Sequence, residues 1–277
     1  MKGGIYLFPT FDDFVDRASS NALPDWGERH SRRDGRGKSW DLGASFEDAA
    51  QLARDGWSDG RKRIERVRGQ IRQSARKQGR RAGYRDDYAG LFPNVGAFAS
   101  GRPDCMVNRA RGVSKLTSVV RLTVQLSASA DCDAAHMANY GAAVVALVDA
   151  LIRRGDSVDV FAALDVGDGY RAREGQGATI RVNVKRPGRT IDPGRLMFMI
   201  AHPAAFRRLG FGVYETIQWF IDEGYRHNYG YPAFHKTEHD GIRILNSAQR
   251  YKATTFEQAY TDVVEQHNEQ STDKVKA

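Results

Sequence analysis

The stretch from Ser118 to Val166 decides the fold, and it reads SVVRLTVQLSASADCDAAHMANYGAAVVALVDALIRRGDSVDVFAALDV. It begins with a β-branched apolar segment and continues through a Ser-rich polar loop. A long apolar segment follows, and a second β-branched run extends from Val158 to Leu164. This order predicts a strand, a helix and a parallel strand, the βαβ unit of α/β proteins. Ligands of such folds bind in the loops that follow the carboxyl ends of strands.

Further segments predict strands that alternate with helices. Residues 179–184 and 242–245 are short β-branched apolar runs, and residues 4–9 form a third. Asp192 followed by Pro193 is typical of a helix start with the aspartate as N-cap. The alternation predicts an α/β fold with a three-layer, Rossmann-like sheet over residues 114–277. Residues 1–113 are predicted to form an N-terminal basic, helical and loop-rich extension, in which residues 83–113 serve as an ordered linker.

The composition is that of a globular protein. Of 277 residues, 41% are hydrophobic and 27% are charged. No apolar run reaches about 18 residues and the N-terminal MKGGIYLFPTFDDF lacks the apolar core of a signal peptide, so neither a membrane span nor export is predicted. Cys105 and Cys132 have no CxxC spacing, which favours a reducing compartment without disulfides. We therefore expect a cytoplasmic protein.

Positive charge is concentrated between residues 54 and 85. That segment holds 12 Lys/Arg and 3 acidic residues, a net charge of +9 against +8 for the whole chain. A helix over 59–78 with a narrow apolar stripe favours salt-sensitive contacts with nucleic-acid phosphates or with an acidic protein. The alternative is a solvated helix face. The candidate contact residues are Arg61, Lys62, Arg63, Arg66, Arg68, Arg72, Arg76, Lys77, Arg80 and Arg81.

Three aromatic residues, Tyr84, Tyr88 and Phe92, follow the basic segment. Aromatic rings stack on unpaired bases in proteins that bind single strands. They also pack within protein cores. The sequence leaves both interpretations open.

The loop 127–133 opens the long helix and contains the second candidate site. Backbone N–H groups at a helix start favour an anion or a carboxylate, and the hydroxyls of Ser127 and Ser129 add donors. The alternative is that Ser129, Asp131 or Asp133 only caps the helix. The candidate ligand loop therefore consists of Gln125, Ser127, Ser129 and Asp131.

The strand, the Ser-rich loop and the long helix ending in Arg-Arg-Gly-Asp together resemble a von Willebrand factor A domain. In that family an Asp-x-Ser-x-Ser motif after the first strand holds a divalent cation. Here both serines are present, as Ser127 and Ser129, while Gln125 stands where the family has aspartate. A neutral amide is a poor ligand for a hard cation. The resemblance thus implies a degenerate Mg²⁺ site with Ser127 and Ser129 as ligands, and otherwise no cofactor.

Seven further segments are distributed along the chain, namely Ser45-Phe-Glu-Asp-Ala-Ala, Gly56-Trp57-Ser-Asp-Gly60, Pro93-Asn-Val-Gly, Gly101-Arg-Pro-Asp-Cys-Met106, Ala201-His202-Pro203, Arg207-Arg208 and Glu215. With the βαβ unit, they resemble a family of uncharacterised bacteriophage proteins with a von Willebrand factor A-like domain, over roughly residues 4–266. That resemblance implies a fold and a viral source, acting in the host cytoplasm, without implying a reaction.

Two histidine patterns and one cysteine are further candidates. His202-Pro203 is typical of a structural turn, or it forms a catalytic cluster with Arg207, Arg208 and Glu215; alternatively, Glu215 pairs structurally with Arg207 or Arg208. The spacing of His227, His235 and His239 suits zinc or, alternatively, surface packing. Cys132 lies at a helix start, where its pKa is expected to be lowered.

The function that this sequence favours is a non-enzymatic binding protein that contacts nucleic acid or an acidic partner through the Arg-rich helix. The first alternative is a cation-dependent protein-interaction module built on the Ser127/Ser129 loop. The second is a hydrolase or transferase centred on His202, which requires His202, Glu215 and Ser127 to converge. No membrane partner is expected, and the oligomeric state stays open.

Overall fold

The structure is a computed structural model that describes residues 4–24, 29–33, 37–65, 84–89, 92–109, 119–129, 132–167, 178–222, 232, 241–245 and 255–276. Its strands are β1 (Gly4–Phe8), β2 (Tyr84–Asp87), β3 (Phe92–Pro93), β4 (Met106–Arg109), β5 (Val119–Gln125), β6 (Ser157–Val166), β7 (Ala178–Lys185) and β8 (Ile242–Ile244). Its helices are α1 (Phe11–Ser19), α2 (Lys38–Asp41), α3 (Phe46–Asp55), α4 (described over 58–65), α5 (Val95–Ala99), α6 (Ala134–Arg154), α7 (Pro193–Ala201), a π-helix (Ala205–Gly210), α8 (Phe211–Tyr214), α9 (Gln218–Asp222) and α10 (Phe256–Lys276).

The chain divides into two compact units. Unit 1 comprises Met1–Val67 and Val119–Ala277, and unit 2 comprises Arg68–Ser118. This division differs from the boundary expected near residue 113, because β1 and helices α1 to α4 belong to the unit that contains the main sheet. Residues 83–113 were expected to form a linker, which is wrong: β2, β3 and β4 pair into a sheet inside unit 2.

Unit 1 is an α/β structure whose five strands lie in the order β1-β7-β6-β5-β8. Strand β5 pairs in parallel with β6 and β8, and β1 pairs in parallel with β7. The β6–β7 pair is antiparallel, with a register shift between Val160 and Phe161. The predicted βαβ unit is therefore confirmed as β5, α6 and β6, and the predicted strand at 179–184 is confirmed as β7.

Side-chain alternation gives this sheet one apolar and one polar face. On β6, Val158, Val160 and Leu164 are fully buried and join the core with residues of α1, α3, α6 and α7. Asp159 and Asp165 alternate with them, because successive side chains of a strand point to opposite faces. The register places Thr179, Arg181, Asn183, Arg121, Gln125 and Arg243 on that polar face.

Helix α6 is the central helix of unit 1. Asp133 is its N-cap, accepting a hydrogen bond from Ala135 N, and Gly155 ends it in the left-handed conformation. Gly141 lets it approach α7 closely, since an added Cβ would lie 2.2 Å from Cα of Ala201. By length and composition α6 could cross a membrane, yet 67% of its most apolar window is buried within the protein. That burial fits the core helix of a soluble protein.

Local capping also sets the starts of α3 and α7. Ser45 and Asp48 form a reciprocal capping box at α3. Asp192 accepts hydrogen bonds from Gly194 N and Arg195 N, and Pro193 occupies the first turn of α7. Both starts agree with the pattern of the sequence, because such caps depend on residues only a few positions apart.

Unit 2 contains a three-stranded antiparallel sheet in the order β2-β4-β3. Asn94 begins α5 by accepting a hydrogen bond from Ala97 N, and its amide donates to Asp86. Arg102 pairs with Asp86 at 3.1 Å and with Asp104 at 2.7 Å. Hydrogen bonding to Arg102 lowers the pKa of Asp104.

Candidate functional site

The first three predicted nucleic-acid contacts lie in α4, within unit 1, where two of them meet acidic partners. Arg61 forms an ion pair with Asp192 at 2.5 Å, and Lys62 pairs with Asp59 at 3.2 Å. Arg63 donates to the side chain of Asn139. The remaining seven lie outside the described residues, namely Arg66, Arg68, Arg72, Arg76, Lys77, Arg80 and Arg81.

The two units differ in net charge. Unit 2 holds 11 of the 42 basic residues and 3 of the 34 acidic residues, a net charge of +8. Subtracting these from the totals leaves 31 basic and 31 acidic residues, so unit 1 is formally neutral. The entire net charge of the chain therefore belongs to the 51 residues of unit 2.

Unit 2 also exposes large apolar side chains. Tyr88 is 76% exposed, Val95 73% and Phe98 70%. Val95 and Phe98 are separated by three positions on α5, a spacing that places them on one side of the helix. Of the three predicted aromatics, Tyr88 is thus at the surface, whereas the side chains of Tyr84 and Phe92 fall outside the described set.

The ligand loop lies at the carboxyl end of β5, and its first residues are buried. Ser127 Oγ accepts a hydrogen bond from Asp165 N at 2.5 Å. Gln125 Nε2 donates to Asp165 Oδ2 at 3.2 Å. Ser129 is half-buried, and Asp131 lies outside the described residues. The helix-capping interpretation is confirmed for Asp133, while anion binding by the loop stays a prediction.

Asp165 is the centre of a buried polar network that joins four strands. Arg243 of β8 pairs with it at 2.6 Å, and Thr179 of β7 donates to it at 2.7 Å. Both charged side chains are almost completely buried. A buried ion pair needs additional hydrogen bonds to offset desolvation, and Thr179 and Gln125 supply them. The negative charge of Asp165, which lies next to Ser127, is therefore neutralised by the guanidinium of Arg243.

This network bears on the expected Mg²⁺ site without testing it. The described residues contain no group of three or more His, Cys, Asp or Glu side chains that could hold a metal ion. Ser127 and Gln125 face Asp165, whose charge Arg243 neutralises. A cation at Ser127 and Ser129 stays a prediction, and the measurement that checks it is thermal stability with and without millimolar Mg²⁺.

Two buried arginines of the π-helix hold the loops around them. Arg207 donates to the carbonyls of Ser129 and Cys132, at 2.8 and 2.7 Å. Arg208 pairs with Asp41 at 2.7 Å. It also donates to three carbonyls, those of Ser31, Arg33 and Ala44.

The pairing of Glu215 with Arg207 or Arg208 stays a prediction, and the described hydrogen bonds of Glu215 go to another residue. Glu215 accepts hydrogen bonds from the backbone N and the hydroxyl of Ser31. Its neighbours in sequence bond to other groups because the π-helix directs both guanidiniums toward loop carbonyls and Asp41.

His202 is the C-cap of α7, as the turn interpretation predicted. Its ring lies against Trp57 and Phe198, and its Nδ1 accepts a hydrogen bond from Ala204 N. Burial lowers its pKa to about 4, so the imidazole is neutral near pH 7. The catalytic hypothesis stays a prediction, but His202, Glu215 and Ser127 bond to three different sets of partners.

A small cavity of about 10 Å³ lies beside this histidine. Tyr140 is one of its lining residues; its hydroxyl is buried without a hydrogen-bond partner among the described residues, and burial raises its pKa well above the usual value. A space of that size holds about one water molecule. The lining residues are Gln125, Leu126, Met137, Tyr140, Met199, Ile200, Ala201, His202 and Phe206.

The expectation for Cys132 is wrong in direction. Burial raises the pKa of its thiol, and the nearby Arg207 only partly opposes that effect. The histidines expected to bind zinc, His227, His235 and His239, lie outside the described residues.

Sequence reasoning missed Asp165 and Arg243. Each is a single charged residue inside an apolar run, in Ala-Leu-Asp-Val and Ile-Arg-Ile. A charge within a buried strand requires a partner, and that rule could have marked both residues. Their pairing could not be deduced, since they are 78 positions apart.

Together these observations define an α/β protein with a five-stranded, mostly parallel sheet, a buried polar network and a separate basic unit. The chain belongs to the family described as a domain of unknown function (DUF7192), whose model matches residues 4–271 and thus spans both units. No curated protein and no solved structure matches it.

Proposed function

We propose that this protein is a non-enzymatic nucleic-acid-binding protein and that unit 2 makes the contact. The observation that carries the proposal is the segregation of charge, since unit 2 holds the whole net charge of +8 and unit 1 is neutral. A locally basic surface attracts phosphates without sequence preference and releases condensed counterions on binding.

The exposed rings of Tyr88 and Phe98 favour a single strand over a duplex. Unpaired bases stack on aromatic side chains, and each such contact contributes about 1–3 kcal/mol. A basic surface beside exposed aromatics is the usual combination in proteins that bind single strands. An acidic protein partner offers carboxylates to the same basic residues, but its binding does not in general require contacts with exposed aromatic rings.

Unit 1 serves in this proposal as a scaffold of von Willebrand factor A type with three layers. The strand order β7-β6-β5-β8, the parallel βαβ unit and the loop at the carboxyl end of β5 support that assignment. The balanced Asp165 next to Ser127 fits a cation loop that has become degenerate. From the resemblance noted in the sequence we further propose a bacteriophage protein that acts in the host cytoplasm.

The test is binding of labelled single-stranded DNA, single-stranded RNA and duplex DNA by fluorescence anisotropy across a salt series. The variant R76Q/K77Q removes one Arg and one Lys from unit 2. Its matched control, R61Q/K62Q, removes one adjacent Arg–Lys pair from α4, where both side chains have acidic partners.

We expect the affinity for single strands to fall steeply with salt. R76Q/K77Q should lower the magnitude of the salt slope by about 1.4, since each lost phosphate contact on a single strand contributes about 0.7. The control should stay within about twofold of wild type. Salt-insensitive or undetectable binding overturns the proposal. If polyglutamate displaces the labelled single strand as well as an unlabelled single strand does, and Phe98→Ala does not change the affinity, the surface of unit 2 is assigned to an acidic protein instead.

A further inference from the structure

Strand β1 forms one edge of the main sheet and is unusually apolar for an edge. Its sequence is Gly-Ile-Tyr-Leu-Phe, and its three central side chains are exposed, Ile5 at 50%, Tyr6 at 38% and Leu7 at 55%. Native edge strands are commonly protected by charges, proline or bulges. Between Gly4 and Phe8 there is neither a charge nor a proline, and β1 pairs with β7 without a register shift.

The opposite edge of the same sheet is protected. Gln270 of α10 accepts from Arg243 N at 2.9 Å and donates to Arg243 O at 2.7 Å. Gln266 does the same for Leu245, at 2.8 and 3.3 Å. Two glutamine amides thus satisfy the outward backbone groups of β8 as a neighbouring strand would.

The β1 edge has no equivalent protection within the described part of the chain. There, Gly4 to Phe8 make no backbone hydrogen bond on the side that faces away from β7. Trp219 packs against Gly4, and Phe8 packs against Phe14, so the strand is held on its helix-covered face. Among the described residues, none pairs with its outer backbone edge, and the side chains of Ile5 and Leu7 are exposed on the other face.

We propose that β1 is a dimerisation edge, which pairs antiparallel with β1 of a second copy of this chain around a twofold axis. Such an axis, perpendicular to the sheet, keeps Ile5 and Leu7 of both copies on one continuous face. Cross-strand apolar pairs stabilise antiparallel strands, whereas opposed like charges destabilise them.

Two observations favour a second copy as the occupant. The strand carries no charge, so pairing with itself opposes no like charges. Unit 1, which contains β1, has 31 basic and 31 acidic residues, so the net charge of +8 on each full chain does not lie in the unit that carries this edge. Since the β8 edge is closed by Gln266 and Gln270, the assembly ends at two copies and forms one ten-stranded sheet rather than a fibre.

The experiment is sedimentation velocity of the full chain over a concentration series, free of nucleic acid, for wild type and Leu7→Lys. Ile5→Lys is a second variant at the same edge. Ile152→Lys is the matched control, because Ile152 is also an exposed aliphatic residue, 43% exposed, but lies on α6. Circular dichroism verifies that each variant is folded.

Wild type is expected to form a dimer and no larger species. Leu7→Lys and Ile5→Lys should each weaken the dimer at least tenfold, while Ile152→Lys should not change it. A wild-type monomer at every concentration overturns the proposal, as does a dimer that both lysine variants leave intact or open-ended association beyond two copies. Nucleic-acid binding is not measured here, so the result is independent of the function proposed for unit 2.

Discussion

Unit 1 and unit 2 differ in the balance of their charges. In unit 1, Arg207, Arg208 and Arg243 are buried and bond to carbonyls or carboxylates, and positive and negative charges are equal in number. In unit 2, basic residues exceed acidic ones by 8. Basic residues are therefore matched in number by acidic residues in unit 1 and outnumber them in unit 2. Total charge alone would have hidden this difference.

The comparison yields an order of effects on the free energy of unfolding. Buried charges of unit 1 should be costly to remove, because each leaves a partner in a poorly solvated environment. Exposed groups of unit 2 should contribute little to stability and should instead affect binding. Four substitutions test that order.

Arg208→Met is expected to have the largest effect. The guanidinium holds Asp41 and three loop carbonyls, and its removal leaves a buried carboxylate without its counter-charge. We expect a loss of about 5 kcal/mol, the upper part of the range for breaking a buried pair. Urea denaturation measures it, with Arg61→Met as an exposed control. Equal losses for the two variants would contradict the comparison.

Asp165→Asn should cost about 3 kcal/mol, because Arg243 then stays buried and charged without its carboxylate. Asparagine retains an acceptor for Thr179, which limits the loss. Adding Arg243→Met should recover part of the stability, and a double-mutant cycle measures that coupling. Asp59→Asn, at an exposed pair, should cost less than about 1 kcal/mol. If the stability losses of the two single variants simply add in the double variant, Asp165 and Arg243 are not energetically coupled.

His202 makes unit 1 sensitive to acid. Its folded pKa, about 4, is below the ordinary value of 6.5, so between those pH values the unfolded chain binds the proton more readily. Stability is therefore lost as pH falls from about 6.5 toward about 4, and acidification from pH 7.5 to 5 should cost about 2 kcal/mol. His202→Gln should remove that part of the dependence in urea titrations. An unchanged difference between the two pH values would rule out His202 as its source.

Phe98→Ser should have the smallest effect on stability. The ring is 70% exposed, and exposed substitutions usually change the free energy of unfolding by less than about 0.5 kcal/mol. The same variant should weaken binding to single strands about tenfold or more, since one stacking contact is lost. Thermal unfolding and anisotropy measure the two effects. A large loss of stability would show that the ring serves the fold.

The sequence predicts features that depend on near neighbours. Asp192-Pro193, the Ser45 capping box and the β5–α6–β6 unit were all deducible, because capping and hydrophobic periodicity act over a few residues. Unit 2 escaped prediction because its strands are only two to four residues long and contain acidic residues and a proline.

The candidate sites show the same limit. Charge concentration was visible in the sequence, but its division between two units was not, and the ion pair of Arg61 with Asp192, 131 positions away, depends on tertiary structure. Glu215 illustrates this limit, because it accepts hydrogen bonds from Ser31, which is 184 positions away in the sequence. Long-range pairing depends on topology, which no local pattern encodes.

The pairing of β1 with β7 also has a consequence for synthesis on the ribosome. Phe8 lies opposite Val182. About 170 further residues must therefore be synthesised after β1 before its partner strand β7 is available. At about 5–20 residues per second, that delay is roughly 9–35 s. During this interval an uncharged apolar strand is exposed on the nascent chain. Productive folding therefore depends on keeping it from premature association, and early termination of translation should yield aggregation-prone fragments.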